Sequence, residues 1–262
     1  MKRVITHSMS TAPLAERTPA SQRTMTKFLD AAESIFGRHG YEGTSVREIS
    51  SRAGVNLGTL KHYWGSKREL FRDLMERRLR PIHAQTAARL AALDPTNSKR
   101  TPRAEAVVAC LVEPAFLVGV QSTPDLDFSD PTARARVHLF FGRCLTDPSP
   151  EIVEDTNEMF RDVSLQFYEL MRLASPGLST AELDWRINCV FGTLSFAQLY
   201  TERIGRLIGS EADVDDEVAC RWVMHFIQNG VAAGAMPEVT SNLPSRAAAT
   251  PAHTKKIKRP RT

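Results

Sequence analysis

The sequence predicts an all-α protein of about nine helices: an N-terminal three-helix helix-turn-helix domain followed by a larger helical body. Helix-start signals recur along the chain. Thr101-Pro102, Asp130-Pro131 and Ser149-Pro150 each pair an N-cap residue with a proline suited to the first helical position. Ser45/Glu48, Ser66/Glu69 and Ser179/Glu182 have the spacing of capping boxes. Hairpin signals are missing, since no Asn-Gly or Asp-Gly turn joins two alternating apolar runs.

Taken in order, the first helix is expected over about residues 19–39, with Phe28, Ala32, Ile35 and Phe36 facing inward. A short helix follows at 45–53, where Val46, Ile49 and Ala53 make one apolar stripe. Gly54 supplies the left-handed residue that ends it, and Asn56 is a good N-cap for the next, at 57–64. Leu60 and Trp64 face inward there, Gly65 closes the element, and Ser66 starts a long helix over 66–92. Helices at 102–120, 131–145, 150–174, 179–206 and 215–233 complete the series. Pro114 lies inside the first of these five, in "AVVACLVEPAFLVGV", and predicts a kink that frees a carbonyl near Cys110 and opens a cavity.

The organisation that follows is a disordered arm at 1–18, the head at 19–66, the body at 67–236 and a disordered basic tail at 237–262. Charge is divided along the same lines. Residues 1–80 carry 15 Lys+Arg against 8 Asp+Glu, residues 81–236 carry 13 against 21, and residues 237–262 carry 6 against 1. A basic N-terminal third on an acidic body suggests that one end meets a polyanion. The tail, with Lys255, Lys256, Lys258, Arg259 and Arg261, offers added non-specific attraction to DNA.

Several classes are disfavoured. No apolar run is long enough to span a bilayer, and the N-terminus has no secretory core, so no membrane partner is expected and the chain reads as cytoplasmic. Cys110, Cys144, Cys189 and Cys220 lie far apart without a Cys-x-x-Cys pair and read as buried thiols, with no metal site and no cofactor implied. A Gly-rich phosphate loop, Gly-x-Ser-x-Gly and His-Glu-x-x-His are all absent, so an enzyme is not expected.

Residues 45–70, "SVREISSRAGVNLGTLKHYWGSKREL", hold the candidate site. Neither of its two short helices can bury enough surface to stand alone, and two such helices crossed through a glycine turn form a helix-turn-helix unit. On the second, Gly58, Thr59, His62 and Tyr63 are expected to point outward, with Lys61 at the flank. Gly58 would let backbone N–H groups approach a phosphate, Thr59 and Tyr63 offer hydroxyls, and Lys61 and Lys67 offer charge. Arg47 and the helix start at Thr44-Ser45 could grip adjacent phosphates. Asn56 belongs to the same edge. Leu57 is divided: helical spacing with Leu60 and Trp64 argues for core, while its place at the helix N-terminus argues, more strongly, for contact with a thymine methyl.

The stretch "FLDAAESIFGRHGYEGTSVREISSRAGVNLGTLKHYWGSKRELF", residues 28–71, strongly resembles the DNA-binding domain of the tetracycline-repressor (TetR) family of bacterial transcription regulators. The resemblance implies a homodimer on double-stranded DNA with a palindromic operator, and a body that binds an effector and dimerises. By that pattern Ser45, Arg47, Leu57, Thr59, Lys61, His62, Tyr63 and Lys67 meet DNA. The sequence departs from it at Lys61, where tyrosine is common, at Leu57, where a polar residue is common, and at Trp64, where phenylalanine is usual. In the body, "RRLRPIHAQTAARLAAL", "FFGRCLTDPSPEI" and "ELDWRINCVFGTLSFA" look like a subgroup that includes fatty-acid-responsive repressors. A small hydrophobic effector, such as the fatty acid or acyl derivative that this resemblance implies, is then expected among Phe116, Leu117, Phe140, Phe141, Phe160, Phe167 and Phe191. Trp185, Cys189, Phe196, Leu199, Trp222, Val223 and Phe226 lie on two long apolar helices suited to a four-helix bundle between subunits. The function this implies is a repressor released by its effector. The alternative is a helical ligand-binding or protein-interaction module without a DNA role.

Overall fold

The computed structural model describes residues 19–118, 131–209 and 214–236. The arm at 1–18, the tail at 237–262 and the end of the expected helix 102–120 lie outside the described residues or at their edge. The described residues form ten α-helices and no strand: α1 (Pro19–His39), α2 (Val46–Ala53), α3 (Gly58–Tyr63), α4 (Lys67–Leu93), α5 (Pro95–Ser98), α6 (Ala104–Glu113), α7 (Pro131–Thr146), α8 (Pro150–Ala174), α9 (Thr180–Ile208) and α10 (Asp216–Ala232).

The caps work largely as the spacing predicts. Ser45, Ser66 and Ser179 each accept the backbone N–H three residues on, at 3.1, 3.1 and 3.2 Å. Gly54 (φ 64°) ends α2: its N–H donates to Ser51 and the Val55 N–H to Ser50, the paired bonds of a Schellman turn. Two starts differ. α6 begins at Ala104 instead of directly after Thr101-Pro102. The unanticipated α5 starts at Asp94-Pro95, where Asp94 accepts the Thr96 N–H at 2.8 Å.

Pro114 does not kink a continuing α-helix. It ends α6, and Pro114–Val118 form a π-helical turn. Proline cannot donate to the Cys110 carbonyl, and widening to a π turn is an alternative to bending. Gln198 on α9 donates its amide to the Ala115 carbonyl (3.5 Å), supporting the irregular backbone from outside the turn. A second proline, Pro81, sits inside α4 without breaking it, removing one rung of that helix's hydrogen-bond ladder.

One apolar cluster runs from Met25 through Val231, so the head and the body share a core. Phe71 on α4 is the link: it meets Phe36 of α1 edge-on at 4.9 Å and Phe140 of α7 at 5.4 Å. Polar groups fix the same junction. Asp147, just past α7, accepts the Tyr41 N–H at 2.7 Å and both the N–H and hydroxyl of Ser149. Burial pushes its pKa up, but these bonds outweigh that and hold it below the usual aspartate value. Gly40 (φ 71°) passes beneath, where an added Cβ would come 2.9 Å from the Asp147 carboxylate. Arg68 and Arg72 of α4 both reach Asp155 of α8 at 2.6 Å.

Between the head and α4, Arg78 of α4 and Glu33 of α1 form a fully buried two-pronged pair, at 3.1 and 2.6 Å. Arg77 and Asp30 add a second link at 3.2 Å. Removing one partner leaves the other charge buried alone. Arg78→Met is expected to lower unfolding stability by about 3–5 kcal/mol in urea titration, with Glu33→Leu/Arg78→Met recovering most of the loss. Full additivity of the two single losses would contradict the pairing.

Candidate nucleic-acid interface and body cavity

α3 has only six residues and is held from below. Leu60 and Trp64 are buried, the Trp64 ring tilts against Phe28 of α1 at 5.2 Å, and its indole N–H donates to Asp73 at 2.8 Å. The opposite side is free: Leu57 is 44% exposed, and Gly58, Lys61 and His62 are exposed. The division over Leu57 therefore falls on the surface side. Its dihedrals are already helical (φ −56°, ψ −33°), so Asn56 is the working cap, accepting the Gly58 N–H at 2.8 Å. The Asn56 cap expected from the sequence is thus formed, and it already takes up the Gly58 N–H.

Other expected contacts divide by where their polar atoms go. Ser45 and Arg47 are exposed at the start of α2. Thr59 and Tyr63 are half-buried, and the Tyr63 hydroxyl lies 2.8 Å from that of Ser21 on α1, which ties the end of α3 to the first helix. Thr24, Asn56, Gly58, Thr59, His62 and Tyr63 share one shallow concavity. Thr44 is buried, its hydroxyl donating inward to the Gly40 carbonyl at 2.6 Å. Lys67 also turns inward: its ammonium donates to the Tyr41 carbonyl at 2.9 Å and the Thr44 carbonyl at 3.3 Å, and lies 4.1 Å from the centre of the Tyr41 ring. It braces the segment before α2 before it can do anything else.

The body holds a largely apolar cavity of about 640 Å³ among α4, α6, α7, α8 and α9. Phe141, Phe160, Phe167 and Phe191 line it as expected, together with Ile82, Leu111 and Leu194. Phe140 is instead the buried link to Phe71, while Phe116 belongs to the π turn, packed near His138, and Leu117 follows it there; none of the three lines the cavity. Thr86 and Ser195 are wall residues that the apolar pattern could not point to.

The far face of α9 and α10 is unusually apolar for a surface. Trp185 (73% exposed), Phe196, Trp222 and Phe226 (71% exposed) all stand out from it, while Leu199 and Val223 are half-buried. Cys189 is exposed on the same face, correcting the expectation of four buried thiols; the other three are buried.

Two family profiles match this chain. "Bacterial regulatory proteins, tetR family" covers residues 28–74, and "Tetracyclin repressor-like, C-terminal domain" covers residues 120–230. The chain belongs to the TetR family. Among its TetR-family relatives, the transcriptional repressor KstR2 of Rhodococcus jostii is 32% identical over 65 residues, 25% of this chain and 32% of that one. The repressor NicS of Pseudomonas putida is 30% identical over 93 residues, 35% of this chain and 44% of its own length. The matched stretches thus span less than half of these relatives. The TetR-family regulator PfmR of Thermus thermophilus shares the fold with a TM-score of 0.51 at 14% identity, covering 79% of this chain and 94% of PfmR. A Clostridium perfringens protein, named for a proposed role in regulating fatty acid metabolism, has the same score at 19% identity, covering 78% and 96%.

The inward Lys67 and outward Lys61 of this TetR-family head should separate in stability. Lys67→Ala is expected to cost about 1–3 kcal/mol in urea unfolding, because the Thr44 carbonyl loses its ammonium donor and the Tyr41 carbonyl keeps only the Thr44 N–H. Lys61→Ala should stay within about 0.5 kcal/mol, and an equal loss for both would remove the bracing role.

Proposed function

We propose that this chain is a sequence-specific DNA-binding transcription regulator, acting as a homodimer and repressing until a small apolar effector fills the body. The observation that carries the reading is the division of α3. Its inner side is spent on the head's core, and its outer side, with Leu57, Lys61 and His62, is exposed. Six residues ordered at the cost of three supporting helices, with the polar side left outward, is the arrangement of a recognition helix offered to a major groove. Arg47, Ser45 and Lys61 then supply phosphate contacts, and Leu57, Thr59, His62 and Tyr63 face base edges.

The exposed Trp185, Phe196, Trp222 and Phe226 support a second copy as the covering surface, since two apolar helices from each subunit would close a four-helix bundle. Dimerisation sets the spacing of the two heads, which must reach grooves about 34–36 Å apart. An effector acts by binding better to a dimer whose heads have another spacing, and only by the difference in its affinity for the two.

Two measurements test the reading. Gel shift and fluorescence anisotropy against the DNA upstream of the gene should show binding that weakens steeply with salt. Arg47→Ala should lower affinity for every sequence alike and reduce the log–log salt slope by about one; no binding to any duplex would favour a ligand-binding module instead. Trp222→Glu/Phe226→Glu should sediment as a monomer and lose DNA affinity, and a dimer that persisted would place the interface elsewhere.

A further inference from the structure

Ile187, Phe191, Leu194 and Ser195 recur on α9 at the spacing of one helix face, and all four line the body cavity. Ser195 is the polar member of that stripe and is only 7% exposed. Its hydroxyl forms no hydrogen bond with any described residue. A helical hydroxyl commonly turns back to the carbonyl one turn earlier, as Thr24 and Thr146 do at 3.0 Å each; Ser195 makes no such bond to Phe191. Its oxygen also keeps open surface, whereas that of Thr86, on the α4 side of the wall, is sealed in the packing beyond the reach of any occupant. The remaining buried polar groups of the wall are engaged or weak. The Thr156 hydroxyl donates to the Cys144 carbonyl at 3.3 Å, Asp147 is taken up by Tyr41 and Ser149, and the Cys144 thiol is a poor donor. The half-buried Tyr168 has the Asp184 carboxylate as the partner of its hydroxyl. A buried hydroxyl without a partner is a standing cost to the fold, and such groups are rare unless something else answers them.

We propose that Ser195 is the hydrogen-bonding anchor of this cavity, and that the occupant is a small, uncharged, mostly apolar molecule whose alcohol or carbonyl oxygen meets the Ser195 hydroxyl. The inference rests on the reading of the cavity as an effector site and adds the chemical class and the orientation of the effector. About 640 Å³ suits a small organic ligand. Ile82, Phe141, Phe167 and Leu194 make the buried wall largely apolar. Among its buried described residues the one charged group is the Asp147 carboxylate, so an anion placed there would be unpaired and would meet a like charge. The one cation among the described residues lining the cavity, Arg161, is exposed beside Asn157 and Ser164. An acid would turn its charge toward that mouth and leave Ser195 unanswered; a neutral oxygen satisfies it. The next residue along α9, Phe196, stands out on the apolar outer face. The anchored oxygen therefore acts on the same helix that would carry the contact between subunits.

The test uses the full chain with three fluorescent probes: naphthalene, 2-naphthol and 2-naphthoate, titrated at pH 7 into the wild type, Ser195→Ala and Ser195→Thr. The ratio of 2-naphthol to naphthalene affinity should fall about fivefold in Ser195→Ala, the value of one neutral hydrogen bond. Naphthalene affinity should change by less than about twofold in that variant, and Ser195→Thr, which keeps the hydroxyl, should keep the wild-type ratio. The wild type should bind 2-naphthoate more weakly than 2-naphthol. An unchanged ratio in Ser195→Ala, with both neutral probes still bound, overturns the role of Ser195 and leaves the effector cavity standing. Tighter binding of 2-naphthoate overturns the uncharged class. Failure of all three probes to bind overturns the anchor and the effector cavity together, while DNA binding by the same preparation reports separately on the regulator reading.

Discussion

Everything the head can do depends on the buried pair between Glu33 and Arg78. These are opposite charges, fully enclosed, joined by two hydrogen bonds, on the two helices that carry the other parts of the head. Such a pair is weak support for net stability, because removing both charges from water costs about as much as their attraction returns. What it enforces is register. A slip of α4 along α1 would strand both charges in an apolar interior, a state far costlier than a slip between two apolar faces. The Arg77–Asp30 link and the Lys67 bracket repeat the constraint at either side, so α1 and the first half of α4 hold one relation to each other.

That relation makes a six-residue helix usable. α3 has no stability of its own at this length, and its order is borrowed through Leu60, Trp64 and the hydroxyl contact of Tyr63 with Ser21. Because support comes wholly from one side, the other is left open. Below, Phe71 passes the head's core into the body's, and Asp147 gathers the Tyr41 and Ser149 donors at the seam. The head and the body therefore share one core, with no slack layer between them.

Much of this is legible in the residues. Caps at Ser45, Ser66 and Ser179, the glycine after Ala53 and the stripes of α1 and α2 locate the head because each is a local rule obeyed within a few residues. The misses are contacts made across the fold. Lys67 reads as an outward cation until the carbonyls of Tyr41 and Thr44 arrive beside it. Pro114 announces an irregularity, but whether the chain bends or widens depends on partners such as Gln198, which lies 83 residues further along the chain from the carbonyl it holds. In the cavity an aromatic pattern finds four of its walls and cannot tell them from Phe140, because a ring facing a void and a ring facing another ring look alike in sequence.

Pro81 gives the long helix a further property. It falls between Arg78, locked to α1, and Thr86, in the cavity wall, and it leaves one carbonyl without its usual donor. The rod is therefore softest at its midpoint, like a crank with an elbow in place of a piston. A push on its far half reaches the near half as a change of pitch instead of a slide, and a tilt of a few degrees at the elbow grows with distance into ångströms of travel at the tip.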